Sequence, residues 1–343
     1  MTAFAERQNR IWLTGGSPLI IMPLIIKITL ALFGLWLSSA TLLASADYDE
    51  QASLAFNLGM AQARSNDFRS ALRSFRKATQ YDSTFAAAYL NIGACHERLN
   101  EFDKAKPFYE KALKLDKDNA RFAFIYGLAL MRHKEVYPGL RQLENAVYAA
   151  PDDPDYVYEL GVAYLCLTQR VEAAKCFRAA VDVSTNYGSA WYRLGMMELE
   201  GKNTNEALRL FDKVELNCEL APQSYLMKSR ILRRERKLGD AESAARMALK
   251  LRKGFSEAYL VLAHILKDEK KYREACDILE RVELTEAKSN WGAFLGAIYE
   301  EWGDDMNEKG DRKAAETLYG QALRFRPEDQ ELIRKAAPRK EGP

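Results

Sequence analysis

Residues 86–119 carry two stripes of apolar positions. Apolar residues recur at i, i+3 and i+7 over 86–99, and a second stripe runs over 102–115, each the signature of an amphipathic helix. Asn100-Glu101 interrupts the periodicity between them. The stretch holds Tyr89, Ile92-Gly93, Ala105, Tyr109 and Ala112. Thirty-four residues later come Tyr126-Gly127, Gly139, Leu143 and Ala146; a further 34 bring Val157, Leu160-Gly161, Ala173, Phe177 and Ala180. Self-similarity at a fixed period outranks any local motif as a guide to architecture.

The small positions mark where helices approach one another. Gly59, Gly93, Gly127, Gly161 and Gly195 lie 34 residues apart, and Ser229 and Ala263 continue the series. Ala71, Ala105, Gly139, Ala173, Ala207, Ala241 and Ala275 do the same in the second stripe. A larger side chain there would overpack the pair, at a cost of roughly 1–3 kcal/mol. One helix pair cannot bury its own apolar face, but a stack of copies can. Gly139 within a helix costs about 1 kcal/mol against alanine, so the second helix of that copy is expected to be looser.

This 34-residue spacing resembles the tetratricopeptide repeat family. The resemblance implies an all-α solenoid, a right-handed superhelix of about eight helix–turn–helix repeats with a C-terminal capping helix. It spans 52–329, with repeats starting at 52, 86, 120, 154, 188, 222, 256 and about 289. In the last copy Leu295-Gly296 and Tyr299 match the first helix, but Ala315, Tyr319, Ala322 and Pro327 come late. Extra residues around 302–311 are therefore expected to lengthen its helices or turn. Residues 328–337 suit a polar helix closing the apolar end, as solenoids require, and 338–343 read as a disordered tail.

The family generally binds other proteins on a concave face lined by first helices, through the fifth, ninth, twelfth and thirteenth positions of each unit. Carried over by position, these give Phe56, Met60, Leu90, Phe124, Leu128, Tyr158, Tyr192 and Met196 as an apolar groove floor. They give Arg230, Arg233 and Arg234, with Leu260, His264 and Lys267, as a basic stretch. An apolar strip rimmed by polar groups marks a binding site, and Phe124 and Tyr158 are the expected anchors for a partner. The co-chaperone variety places Lys and Asn at the fifth and ninth positions; here those places are aromatic or aliphatic in the first five repeats.

Charge sharpens this picture. Net charge is +2. Three basic residues and one acidic residue fall in 1–46, leaving 47 of each sign in the remainder. That balance argues against a general nucleic-acid binder. Repeat 6 is strongly lopsided, with ten basic and three acidic residues. Arginine forks suit carboxylates, so a protein or peptide partner with an acidic segment fits near repeats 6–7. Glu198 and Lys228 replace apolar residues of other copies and are expected to pair across the repeat junction, since an unpaired buried charge is costly.

Ahead of the repeats, residues 18–43 are apolar except for Lys27 and a few small polar residues, with Arg7 and Arg10 upstream. Ala44-Ser45-Ala46 follows, then the polar run Asp47-Tyr48-Asp49-Glu50. This is the layout of a secretory signal peptide cut after Ala46. The alternative is a retained membrane anchor, because 18 apolar residues can span a bilayer. Export to the periplasm or cell exterior, or inner-membrane anchoring with the repeats in the periplasm, is the expectation. Membrane contact would then involve 18–43 alone.

Catalytic chemistry is sparse. His96, His133 and His264 are scattered, and the five cysteines show no paired metal-ligand spacing. Cysteines are among the most buried residue types, so core filling is expected of them. No phosphate loop, HExxH or GxSxG occurs. The sequence thus predicts a non-enzymatic adaptor without cofactor or metal. The alternatives are a self-assembling structural scaffold and a chaperone-like holder of exported proteins.

Overall fold

A computed structural model describes residues 46–283 and 291–337. Among them are seventeen helices and no strand. They fall into two units, divided after Val183. The first unit holds α1 (Ala46–Arg64), α2 (Phe68–Tyr81), α3 (Ala86–Arg98), α4 (Phe102–Leu115), α5 (Ala120–Arg132), α6 (Val136–Ala149), α7 (Pro154–Cys166) and α8 (Arg170–Val183). The second holds α9 (Gly188–Glu200), α10 (Thr204–Asp212), α11 (Ala221–Arg234), α12 (Leu238–Leu251), α13 (Ser256–Asp268), α14 (Tyr272–Glu283), α15 (Trp291–Glu308), α16 (Arg312–Leu323) and α17 (Gln330–Ala336). The expected leader or anchor, residues 1–46, lies outside the described residues except for Ala46, which begins α1, and the tail 338–343 lies outside them too.

Each hairpin is closed the same way. The second residue after each first helix takes positive φ: Asn66, Asn100, Lys134, Thr168, Lys202, Arg236 and Lys270, and Gly310 in the last copy. The next backbone N–H then bonds five residues back, as in Glu101 to His96 (2.9 Å), Gln169 to Tyr164 (2.9 Å) and Asp311 to Met306 (3.0 Å). This is the left-handed closure that satisfies the orphan carbonyls of a helix end. Helix starts are capped more variably: Asp67 accepts from the Ser70 N–H and Asn119 from the Phe122 N–H, each at 3.1 Å.

Packing inside a hairpin explains the glycine series. A Cβ at Gly59, Gly93, Gly127, Gly161 or Gly195 would stand 2.7–3.0 Å from the side chain sixteen residues on: Phe75, Tyr109, Leu143, Phe177 or Phe211. Those five large residues are buried at the hairpin seams. In the sixth hairpin the sizes are exchanged. Ser229 fills the small position, and Ala245 stands where an aromatic would collide with it; both are fully buried. Gly139 lies inside a continuous helix, Val136–Ala149. It is buried, and an added Cβ would meet Met131 at 2.9 Å and the Gly127 carbonyl at 3.0 Å.

The last hairpin is in a different register from the one the sequence suggests. Gly303, not Gly296, faces the aromatic of α16: its Cβ would lie 2.6 Å from Tyr319. Gly310 closes the turn seven residues later, as Asn66 does after Gly59. The turn around 302–311 is therefore of ordinary length. The additional residues precede the hairpin and extend α15 at its N-terminal end to 18 residues, against 13 in α13.

The first and last described helices, one in each unit, are covered differently. α17 lays Leu332, fully buried, over the C-terminal edge. On α1, Leu54 and Leu58 are 56% and 55% exposed, whereas their counterparts one repeat on, Ala88 and Ile92, are buried.

Candidate partner-binding cleft

The carried-over groove positions part company in the structure. In the first unit Leu90, Phe124, Leu128 and Tyr158 are buried. Phe124 packs on Tyr156 (4.4 Å between ring centroids) and Tyr158 on Phe177 (5.4 Å). The expected open floor is thus absent at these four positions. Large side chains bridge successive helices there, so their apolar area is spent inside the stack. Phe56 and Met60 are half-buried, with Phe56 against Phe85 at 4.8 Å. In the second unit Tyr192 and Met196 are also half-buried, with Tyr192 against Phe211 at 5.8 Å.

The three arginines are different: they reach a cleft. Arg230, Arg233 and Arg234 stand at i, i+3 and i+4 of α11, which places them on one helical face. Arg236 follows in the left-handed turn. The neighbouring first helix, α13, supplies Glu257, Leu260, Val261, His264 and Asp268. Together they line a cleft of about 650 Å3.

The floor is apolar and the walls are charged. Val261 is buried, Leu260 half-buried, and the His264 ring lies 4.0 Å from that of Phe294. Burial, then the neighbouring Arg233 charge, pushes the His264 imidazole down to about 4. It is therefore neutral at physiological pH. Arg230 Nη2 donates to Glu257 Oε2 at 3.1 Å, and Arg233 Nε to Asp268 Oδ2 at 2.6 Å. Arg234 and Arg236 make no ion pair among the described residues and are exposed. Lys267 turns away to Glu301. Four guanidinium groups thus face two carboxylates, an excess of positive charge over an apolar floor.

Glu257, Val261 and Asp268 were not singled out by sequence. The available signal was an acidic residue 27 and 35 positions after an arginine of the previous repeat, the offset that sets neighbouring first helices side by side. An offset of 35 in the opposite sense, carboxylate first, joins Glu97 to Arg132 (2.9 Å) in the first unit, where Tyr109 also donates to Glu97 (2.8 Å).

The expected Glu198–Lys228 pair is not formed. Lys228 pairs with Asp212, on the second helix of the preceding hairpin, and Glu198 accepts from Asn203 Nδ2 at 2.8 Å. Lys228 therefore reaches back to α10 instead of along the row of first helices. The cysteines are free thiols. Cys95 and Cys276 are buried, and burial pushes both up to about 12, while Cys166 is exposed and fills no core. Among the described residues, no three His, Cys, Asp or Glu side chains gather as a metal site. No described helix is long and apolar enough to cross a membrane.

The repeating hairpins, their shared turn and the packed glycine–aromatic seams define an all-α tetratricopeptide-repeat solenoid. Residues 86–119, 167–225 and 256–284 each match models of the tetratricopeptide repeat. Among solved structures, that of pilF from Pseudomonas aeruginosa is similar over 63% of this chain and 99% of its own, at 21% identity and a TM-score of 0.55. MamA from Desulfovibrio magneticus RS-1 aligns over 50% of this chain and 94% of its own, at 25% identity and a TM-score of 0.44. YrrB, described as a TPR protein with an unusual peptide-binding site, aligns over 50% and 91%, at 22% identity and a TM-score of 0.41. No curated protein matches the sequence.

Proposed function

We propose that this protein is a non-catalytic scaffold that holds a partner protein through the arginine cleft of α11 and α13, and that it works in the bacterial cell envelope. The observation that carries the reading is the cleft's excess of guanidinium groups over an apolar floor. Arginine presents a planar fork that matches a carboxylate. A matching segment carries acidic side chains around one apolar residue, which would settle on Leu260, Val261 and the neutral His264. Tetratricopeptide repeats mediate protein–protein contacts, which agrees with this use of the surface. Placement in the envelope rests on the apolar run 18–43 and the small-x-small site ending at Ala46.

The test is fluorescence anisotropy with a labelled synthetic dodecapeptide of Asp and Glu around a central Phe. Binding should weaken several-fold in the Arg234→Ala, Arg236→Ala double variant and fade as salt rises, because exposed charges are screened beyond about 10 Å at 0.1 M salt. Affinity indifferent to both changes would end the reading. Fractionation of cells making the full chain checks the location: protein confined to the cytosol would remove the envelope. Self-assembly by end-to-end stacking is the weaker reading, because α17 already covers one edge.

A further inference from the structure

The two carboxylates of the cleft are held on different terms. The Arg230–Glu257 pair is open to water: the side chains are 43% and 63% exposed, and the contact is 3.1 Å. The Arg233–Asp268 pair is shorter, 2.6 Å, and less exposed, 33% and 15%. Position on α13 widens the difference. Glu257 sits in the first turn, where the positive end of the helix dipole stabilises a carboxylate even without its arginine. Asp268 is the last residue of the same helix, where the dipole disfavours negative charge and leaves it dependent on Arg233.

We propose that Glu257 is an internal stand-in for the partner's carboxylate: it occupies Arg230 until an acidic segment displaces it, while Asp268 keeps Arg233 fixed as a wall of the cleft. This rests on the acidic-segment reading above and adds which arginine is exchangeable. Exchange at Arg230 swaps one exposed ion pair for another and so gains little from a lone carboxylate. A segment with several carboxylates gains because Arg234 and Arg236 are engaged at the same time. Glu257 thereby selects against single anions and in favour of acidic stretches.

The experiment measures binding of the labelled acidic dodecapeptide to the full chain in detergent. Glu257→Gln should bind it about two- to five-fold more tightly than the parent, the range an exposed ion pair supports. Asp268→Asn should bring no tightening and should lower the melting temperature, since it leaves Arg233 without its partner. Asp277→Asn, an exposed carboxylate on α14, changes net charge equally and should leave affinity unchanged.

Glu257→Gln with parental affinity, in a protein that Arg230→Ala weakens, overturns the stand-in role and leaves the acidic-segment reading intact. Equal tightening by Asp277→Asn reduces the effect to net charge and also overturns it. Absence of binding by both parent and Glu257→Gln overturns the inference and the reading together. Binding by Glu257→Gln alone supports both.

Discussion

Thr168 carries the greatest backbone cost among the hairpin turns. It sits at φ 59°, a conformation that a β-branched side chain strongly disfavours. Asparagine tolerates that region and adds no glycine-like entropy to the unfolded chain. Thr168→Asn should therefore stabilise the protein by about 0.5–1 kcal/mol, read as a higher urea midpoint with an unchanged slope. The glycine seam makes the opposite case. Gly93→Ala places a methyl 2.9 Å from the Tyr109 ring, which is buried and held by Glu97. A loss of about 1–3 kcal/mol is expected from overpacking, measured by the same titration. The small positions were legible in the sequence because size is written in the residue. The left-handed turn was not: Asn, Lys, Thr and Arg share no side-chain property, and the shared feature is a backbone angle that tertiary packing enforces.

Whole hairpins trade volume across their seam. The Ser229/Ala245 exchange keeps the sixth hairpin closed with the large partner removed. Ala245→Phe should destabilise by about 1–3 kcal/mol or more through overpacking. Adding Ser229→Gly should recover part of that loss, with a coupling of about 0.5–3 kcal/mol in a double-mutant cycle. Additive effects would show that the two positions do not share space. At this scale period alone misleads in two places. It counts 34 residues into the last copy, whereas the inserted residues lie ahead of the hairpin and Gly303 keeps the sixteen-residue spacing to Tyr319. It also assigns Phe124 and Tyr158 to an open floor, although their own bulk closes it. Phe124→Ala should cost about 3–5 kcal/mol as a cavity, so loss of binding in that variant would report unfolding.

For the molecule as a whole, His264 adds to the acid sensitivity. Its folded value is pushed down to about 4 from an ordinary 6.5. The unfolded chain therefore binds the proton first as pH falls. The stabilisation is fully present above about 6.5 and is lost progressively toward 4. After discounting for partial exposure, the loss is about 2 kcal/mol. His264→Gln should flatten the decline in urea midpoint between pH 7 and pH 4.5; an unchanged slope would place the sensitivity elsewhere. The cleft itself was half legible. Arginines at i, i+3 and i+4 declare a shared face, whereas the carboxylates that oppose them come from the next repeat and appear only once α11 and α13 are set side by side.

The second unit closes its own end with α17, whereas the first leaves apolar area on α1. A hairpin designed to pack on α1 would find apolar area to cover at Leu54 and Leu58. One joined after Ala337 would first have to evict α17 and its buried Leu332.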